Sequence, residues 1–241
     1  MRACIVLLSA LLLFSCGKKE VKPSEFDPEA EFAKANKLIE DKDYEGARKL
    51  LTEISGRDTT GKYAPVAQLR LADSYLKEGE PELAAEEFRR FLETYAWHKY
   101  APYAQYQLAM VYYEQVGEPD RGYGSALKAL EEFEVLNSVY PRNPYREFAE
   151  AAIEKCLDIL ADYEFMVGEF YLKKEAYKGA LGRFLGVLEK FPGYKKEADV
   201  LYGIALSYRG LGDADMARQY YDLLISKYPR SKVAEKAKKE F

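Results

Sequence analysis

The histidine, cysteine and carboxylate side chains determine which reactions this sequence could catalyse. His98 is the single histidine, so a serine or cysteine nucleophile would have one candidate base. No histidine or cysteine pair has the spacing of a zinc site, and no Gly-x-x-x-x-Gly-Lys loop is present to bind phosphate. The 40 carboxylates are spread along the chain in the manner of solvated helix surfaces. We therefore expect no enzymatic activity, no metal site and no dissociable cofactor.

The three cysteines have different expected roles. Cys4 lies in an apolar run, residues 3–14, which is too short to cross a bilayer core of about 30 Å. Cys16 comes two residues after the end of that run. Cys156 is then the single cysteine of the folded part, so it has no partner for an intramolecular disulfide. We expect Cys156 to be a small core residue on a helix, rather than a reactive thiol.

The residues around Cys16 favour covalent lipidation. The stretch Leu13-Phe14-Ser15-Cys16 resembles the signal of bacterial lipoproteins, in which the cysteine is lipidated and the preceding peptide is removed. The resemblance predicts a signal peptide over residues 1–15 and acyl chains, palmitate included, on Cys16. Several acyl chains anchor a protein stably, whereas one binds only marginally. Gly17 follows, where such lipoproteins carry Asp if the inner membrane retains them, so we expect the periplasmic side of the outer membrane. The alternative is an ordinary secretory signal with an incidental cysteine.

The composition is that of a globular protein without a nucleic-acid footprint. Of the 241 residues 48% are apolar, and the formal net charge of -4 arises from mixed charges without a dominating basic patch. Nucleic-acid binding is disfavoured, because it usually needs a cationic surface. Tyrosine is frequent, with 21 copies, and its apolar ring and polar tip suit half-buried packing and recognition surfaces.

The sequence contains an internal repeat. Residues 63–75 and 100–112 are identical at eight of 13 positions with a constant offset of 37. The tetratricopeptide pattern has a small residue in its first helix, helix A, and an alanine followed four residues later by an aromatic residue or leucine in its second, helix B. The small helix-A positions are Ala35, Ala72, Ala109, Gly168 and Ala205. The helix-B pairs are Ala47 and Leu51, Ala84 and Phe88, Ala129 and Phe133, Ala180 and Phe184, and Ala217 and Tyr221.

These positions predict an all-α, right-handed superhelical solenoid of five helix-turn-helix repeats. The helix-A positions step by 37, 37, 59 and 37 residues, so the third step carries extra sequence. We expect part of it in the hairpin of the third repeat, around Gly117 and Gly122, and the rest in one long helix from about Tyr145 to Lys174. The predicted segments are a tether over residues 16–28, three repeats over 29–143, and two repeats over 144–241 that include a capping helix beginning at Ser231.

Three stretches resemble the BamD family, the lipoproteins of the outer-membrane β-barrel assembly machine. They are residues 140–145, 160–171 and the aromatic, small and arginine positions from Ala176 to Arg183. The resemblance implies a periplasmic, lipid-anchored subunit that docks on the central barrel-assembly protein and receives unfolded barrel proteins. Arg183 matches a family arginine and is the expected docking residue, although a solvated surface arginine is an equal alternative. The other functional hypothesis is a tetratricopeptide lipoprotein that serves a different envelope machine, as an adaptor or pilotin.

The concave face of such an array is the expected binding surface. In tetratricopeptide arrays helix A lines that face, and here its positions in repeats one to three are mainly apolar and aromatic, which suits apolar peptide side chains. We expect Arg70 and Gln107 to meet a terminal carboxylate. The alternative for any one of these positions is the core between repeats. The predicted groove residues are Phe32, Asn36, Ile39, Leu69, Arg70, Asp73, Leu76, Tyr103, Tyr106, Gln107, Met110 and Tyr113.

Overall fold

The computed structural model describes residues 26–240, so the predicted signal peptide, Cys16 and most of the predicted tether lie outside the described residues. Over residues 26–240 the regular structure is entirely α-helical. The eleven helices of this range are α1 (Pro28–Glu40), α2 (Tyr44–Arg57), α3 (Ala64–Glu78), α4 (Pro81–Tyr95), α5 (Ala101–Tyr113), α6 (Pro119–Val139), α7 (Arg146–Lys173), α8 (Tyr177–Lys190), α9 (Glu197–Gly210), α10 (Ala214–Lys227) and α11 (Lys232–Ala237).

Ten of these helices form five hairpins that stack in chain order, which confirms the predicted tetratricopeptide fold. Each helix packs mainly on its neighbours along the chain, as expected when every repeat buries its apolar face against the next one. The small helix-A residues and the alanines of helix B are buried in all five repeats. The rings of Phe88, Phe133 and Phe184 are at most 1% exposed. Burial of one such ring contributes roughly 1.5–3 kcal/mol to the free energy of unfolding.

Phe184 shows why the pattern needs small residues. Its ring lies between Gly168 of α7 and Gly203 of α9. A Cβ atom added to Gly168 would lie 2.7 Å from the Phe184 ring, and one added to Gly203 would lie 2.6 Å from it. Since both distances are below van der Waals contact, glycine at these two positions allows three helices to close around a single ring.

The tight turns between helix A and helix B place one residue in the left-handed conformation. Gly79 and Gly212 do so with φ of 89° and 83°, as the sequence predicts. The equivalent positions of repeats one and four hold Lys42 and Glu175, with φ of 63° and 59°. The turn geometry is therefore kept even where the residue has a Cβ atom, at a cost of roughly 1 kcal/mol.

The long helix α7 joins two cores. Ala149, Ala152 and Cys156 in its first half pack with α3 to α6, whereas Ala161 and Phe165 in its second half pack with α8 and α9. Its 28 residues correspond to a length of about 42 Å. The bounds agree with the predicted helix from about Tyr145 to Lys174. The helix therefore connects the first three repeats to the last two as one continuous element.

The turn ahead of α7 contains Pro144, and the Asn143 side chain accepts a hydrogen bond there from the Tyr145 amide at 2.8 Å. Two local expectations differ from the structure. The extra residues of repeat three mostly extend α6, which begins at Pro119 and includes Gly122, because proline is well suited to a first helical turn. The capping helix α11 is only six residues long and begins after Ser231, whose hydroxyl accepts from the Ala234 amide.

No helix among residues 26–240 combines the length and the apolar character needed to cross a membrane.

The register can be tested by adding volume at a buried and at an exposed position of the same helix. Ala180 of α8 is 0% exposed, whereas Gly182, two residues later, has no atom within 4 Å of an added Cβ. We expect Ala180→Trp to lower the free energy of unfolding by roughly 1–3 kcal/mol or more, because overpacking strains a close helix contact. Gly182→Trp should leave it nearly unchanged. Thermal and urea unfolding followed by circular dichroism measure both, and equal midpoints for the two variants would contradict the assigned register.

Candidate peptide-binding groove

A concave cavity lies between repeats two and three and the start of α7. Its volume is about 360 Å³. Helices α3 and α5 form its two sides, and the residue that precedes α7 forms its end. The lining residues are Val66, Leu69, Arg70, Asp73, Tyr100, Tyr103 and Tyr145. The cavity therefore combines apolar and aromatic walls with one cation and one carboxylate.

Two tyrosines of the groove come from a feature shared by three repeats. Tyr63, Tyr100 and Tyr145 each occupy the position directly before helix A, in repeats two, three and four. Tyr100 and Tyr145 line the cavity, whereas Tyr63 lies one repeat earlier and packs on Phe32 with 6.2 Å between ring centroids. The predicted groove set omits Tyr100 and Tyr145. The match of Tyr63 to Tyr100 in the 37-residue repeat is the sequence feature that could have indicated Tyr100.

The polar groups of the groove are bonded to one another. The Tyr103 hydroxyl donates to Asp73 Oδ1 at 2.7 Å, and Gln107 Nε2 donates to the Tyr103 oxygen at 3.0 Å. Arg70 lies 3.5 Å from Asp73 Oδ2, with half of its side chain exposed. Burial raises the pKa of the Asp73 carboxyl, against the opposing effects of Tyr103 and Arg70. Arg70 and Gln107 therefore already have partners, and a peptide carboxylate would meet Arg70 in competition with Asp73.

An aromatic cluster continues the groove toward α6 and α7. The Tyr106 ring stacks on Tyr145 with centroids 4.1 Å apart and an interplanar angle of 11°, and it meets Phe148 edge-on at 5.8 Å. Tyr113 also meets Phe148 edge-on, at 5.9 Å, and Phe133 lies beneath both tyrosines. Phe148 remains 43% exposed. The half-buried Tyr106 packs repeat three on α7; it does not line the cavity itself but stacks on Tyr145, which does.

The structure places the other predicted groove residues elsewhere. Ile39 is 6% exposed and belongs to the core of the first repeat, so for this residue the expected groove position is wrong. Phe32 packs against the same core, and Asn36 is half-buried on the same helix, with neither lining the cavity. Leu76 and Met110 are half-buried against the core of repeats two and three. The groove thus starts at repeat two, because the first repeat packs its helix-A side chains into its own core.

Arg183, the predicted docking residue, is held by a neighbouring helix. Its guanidinium lies 2.8 Å from Glu164 of α7, and 42% of its side chain is exposed. The bond to Glu164 raises the pKa of Arg183, so the group stays charged. An outside carboxylate would reach a cation that is oriented by Glu164 and partly neutralised by it.

The candidate catalytic groups lie in inert surroundings. Cys156 is fully buried, and burial raises the pKa of its thiol to about 11, which disfavours the reactive thiolate. His98 packs edge-on against Phe91 at 5.9 Å in the turn before α5, where burial lowers its pKa. Among residues 26–240 no group of three or more metal-binding side chains is close enough to hold an ion.

The fold and the groove define a tetratricopeptide-repeat protein with an aromatic concave face. The family model described as "YfiO: Outer membrane lipoprotein" matches residues 24–223. Because this match covers most of the sequence, the chain belongs to that family, and the predicted family relationship is confirmed.

Relatives with established names agree. The chain is 27% identical over 195 residues to "Outer membrane protein assembly factor BamD" of Rickettsia prowazekii, with 81% of this chain and 78% of the relative covered. It is 26% identical over 230 residues to the protein of the same name in Xylella fastidiosa strain Temecula1, with 89% and 78% covered. Among solved structures, the TPR2AB domain of yeast Sti1 in complex with pHSP90 has a TM-score of 0.48 and 14% identity, over 86% of this chain and 80% of that one.

The competition between Asp73 and a peptide carboxylate for Arg70 can be measured. Asp73→Asn keeps an acceptor for the Tyr103 hydroxyl but removes the charge that faces Arg70. A peptide with aromatic side chains and a free C-terminal carboxylate should therefore bind about fivefold more tightly to the variant, since a half-exposed ion pair contributes roughly 1 kcal/mol or less. The same peptide with an amidated C-terminus is the control, and its affinity should not change. Equal changes for both peptides in a fluorescence titration would show that Arg70 does not receive the carboxylate.

Proposed function

We propose that this chain is a lipid-anchored periplasmic scaffold subunit of the outer-membrane β-barrel assembly complex. The proposal goes further than membership of the outer-membrane lipoprotein family and the assembly-factor names of its relatives. In it, the groove of repeats two and three binds the C-terminal segment of an unfolded barrel protein, and the C-terminal half docks on the central assembly protein. The observation that carries the client-binding step is the aromatic cavity closed by Tyr145.

The chemistry of the groove suits the end of a barrel strand. Such segments alternate apolar residues and end in an aromatic residue, so they present rings at a spacing of two. Leu69, Tyr100 and Tyr103 offer apolar surface to those rings, and the stacked pair of Tyr106 and Tyr145 offers an edge for a further aromatic contact. Exposed rings are strong anchors for peptides because they bury a large area with few rotatable bonds.

The proposed role is non-catalytic. A scaffold needs a rigid array with surfaces for several partners, and α7 supplies rigidity by joining the N-terminal and C-terminal cores. The raised pKa of the Cys156 thiol and the packing of His98 against Phe91 leave neither group suited to covalent or acid–base chemistry. The anchor in this proposal is the acylated Cys16, followed by residues 17–27 as a link to α1.

The docking step is proposed for the side of the array where α7 and α8 meet. Arg183 and Glu164 form a fixed pair there, with the arginine the more exposed of the two. A planar guanidinium can pair with a partner carboxylate through two parallel hydrogen bonds while Glu164 holds it in place. The central assembly protein would then supply the carboxylate.

The client-binding step predicts a strong dependence on Tyr106. We expect Tyr106→Ala to weaken the binding of a barrel-derived C-terminal peptide by roughly tenfold or more, since truncation of an aromatic anchor typically costs about 2 kcal/mol. Tyr106→Phe keeps the ring that stacks on Tyr145, so it should bind as the wild type does. Fluorescence anisotropy of a labelled peptide measures all three affinities.

Two controls separate binding from stability. Tyr208→Ala removes a comparable half-buried ring, which stacks on Tyr220 at 5.6 Å in the C-terminal half, and it should leave peptide affinity unchanged. A peptide of the same composition in scrambled order should bind weakly to every variant. If the wild type binds the scrambled peptide as tightly as the native one, the groove does not recognise the residue order of the client segment.

The docking step predicts that charge reversal at Arg183 weakens the complex. We expect Arg183→Glu to reduce co-purification of the central assembly protein from solubilised outer membranes, because the variant presents a second carboxylate beside Glu164. Glu164→Gln is the matched control: it breaks the same internal ion pair but keeps the guanidinium, so co-purification should persist. Loss of the partner in both variants would indicate local unfolding, and recovery in both would mean that Arg183 is a solvated surface residue.

A further inference from the structure

The two edges of the solenoid carry opposite charge. Because helices A and B are antiparallel, the linkers from A to B lie along one edge, and those from B to A, together with the start of α1, lie along the other. The A-to-B linkers contain seven acidic and two basic side chains, whereas the B-to-A linkers contain six basic and one acidic, to which the start of α1 adds the acids Asp27, Glu29 and Glu31. The basic residues of the B-to-A linkers are Lys62, Lys99, Arg142, Lys195, Lys196 and Arg230.

The B-to-A linkers of the first three repeats form a connected surface, here called the basic edge. The Tyr63 hydroxyl donates to Glu29 of α1 at 3.4 Å, which places the first linker beside the start of that helix. The Tyr140 hydroxyl donates to the Ala96 carbonyl at 3.1 Å and joins the second and third linkers. The longer α7 sets the last two repeats apart, since Lys195 and Lys196 pair with Asp162 midway along α7. The basic edge therefore belongs to the N-terminal repeats.

Two cations of the basic edge, Lys99 and Arg142, are available to a partner, whereas the third, Lys62, lies 3.9 Å from Glu29 of α1. Lys99 lies over the Tyr100 ring at 4.9 Å, Arg142 is exposed, and neither forms an ion pair within the described part of the chain. The one acid of these linkers, Asp58, accepts hydrogen bonds from the amides of Tyr63 and Ala64 at 2.6 and 2.8 Å. Its charge is thus directed into the start of α3 rather than toward solvent.

An exposed tryptophan lies on the same edge. Trp97, directly ahead of His98 and Lys99, is 95% exposed, and Val139 at the end of α6 is 52% exposed. A tryptophan that packs on nothing in its own chain is unfavourable in water but well suited to the headgroup layer of a membrane, where indole rings concentrate beside basic residues. The combination of cations and an exposed indole therefore matches an anionic phospholipid surface.

We infer that the basic edge rests on the anionic phospholipid surface of the membrane that carries the anchor, with Trp97 in the headgroup layer and Lys99 and Arg142 on lipid phosphates. The inference rests on the proposed anchor at Cys16, which is twelve residues ahead of Pro28. Twelve extended residues reach at most about 40 Å, so the anchor holds the chain near the membrane without orienting it. Lipid contact along the basic edge supplies that orientation and turns the acidic edge toward the periplasm.

Trp97 is the only tryptophan of the sequence, so its fluorescence reports on this contact directly. The experiment uses the full lipidated chain in vesicles of phosphatidylethanolamine and phosphatidylglycerol, with and without bromine-labelled phospholipid. We expect brominated lipid to quench Trp97, and high salt to relieve most of the quenching because it screens the attraction between cations and phosphates. Vesicles in which zwitterionic phosphatidylcholine replaces the phosphatidylglycerol should give little quenching.

The matched variants reverse two charges on opposite edges. Lys99→Glu with Arg142→Glu should remove most of the quenching, whereas Lys42→Glu with Lys174→Glu, an equal change of charge on the acidic edge, should behave as the wild type does. Acylated protein that floats with the vesicles but shows no quenching would overturn the inference and leave the anchor intact, as expected if the basic edge binds a protein instead. Equal quenching in both double variants would also overturn it.

The anchor is tested separately. Mass spectrometry of the mature chain and vesicle flotation at high salt report acylation of Cys16, and Cys16→Ala should abolish both signals. If the wild type carries no acyl group, the proposed anchor is wrong. The quenching of the unacylated chain by an excess of anionic vesicles then still decides whether the basic edge binds lipid.

Discussion

The close approach of helices A and B within each repeat is the constraint on which the rest of the structure depends. A small residue of helix A lies against a leucine or aromatic ring of helix B, and no larger side chain fits without separating the helices. The contact around Phe184 is an especially close one, since glycines of two helices meet the same ring. Because every repeat closes in this way, the helix-A surfaces that remain form one continuous concave face.

The start of the long helix α7 forms one end of the groove on that face. An ordinary fourth repeat would place a short helix A beside α5. Here fourteen additional residues extend α7, and its beginning lies against repeat three, so that Tyr145 forms the end of the cavity and Phe148 covers Tyr106. The same extension separates the C-terminal core from the N-terminal one and sets Lys195 and Lys196 away from the basic edge. One change of helix length therefore shapes both the groove and the division of charge along the array.

The charged side chains of the array pair with one another at its surface. They pair either across adjacent helices, as Arg183 of α8 meets Glu164 of α7, or along one helix, as Arg70 meets Asp73 on α3. These pairs are half-exposed and contribute little to stability. Their effect is to fix the direction in which each cation points, which determines whether a partner carboxylate can reach it.

The sequence alone determined the repeat, the register of the repeats and the length of α7. The spacing of small and aromatic residues along the chain shows directly which positions share a face of a helix, so no tertiary contact is needed to recognise it. The family relationship followed from the same local signals in residues 140–183. The assignment of the N-terminal signal and of Cys16, and the division of the array at residue 143, remain predictions. Of the predicted groove residues, Leu69, Arg70, Asp73 and Tyr103 line the cavity, and peptide binding there stays a prediction.

Only the tertiary structure decided which concave positions are accessible. Ile39 occupies the same repeat position as Leu76 and Tyr113 but is buried, because it packs into the core formed with Leu51 of α2 and Ala67 of α3. Tyr145 lines the groove because α7 continues beyond the length of a standard helix A and carries its first residues toward α5. The partner of Arg183 was undetermined, since Glu164 lies on a neighbouring helix at a distance that the helical period does not encode. The pairs of Arg70 with Asp73 and of Gln107 with Tyr103 are three and four residues apart on one helix and follow from that period. Periodicity specifies which face of a helix is apolar and which side chains can pair along it, whereas exposure and pairing between helices depend on what the neighbouring helices bring to that face.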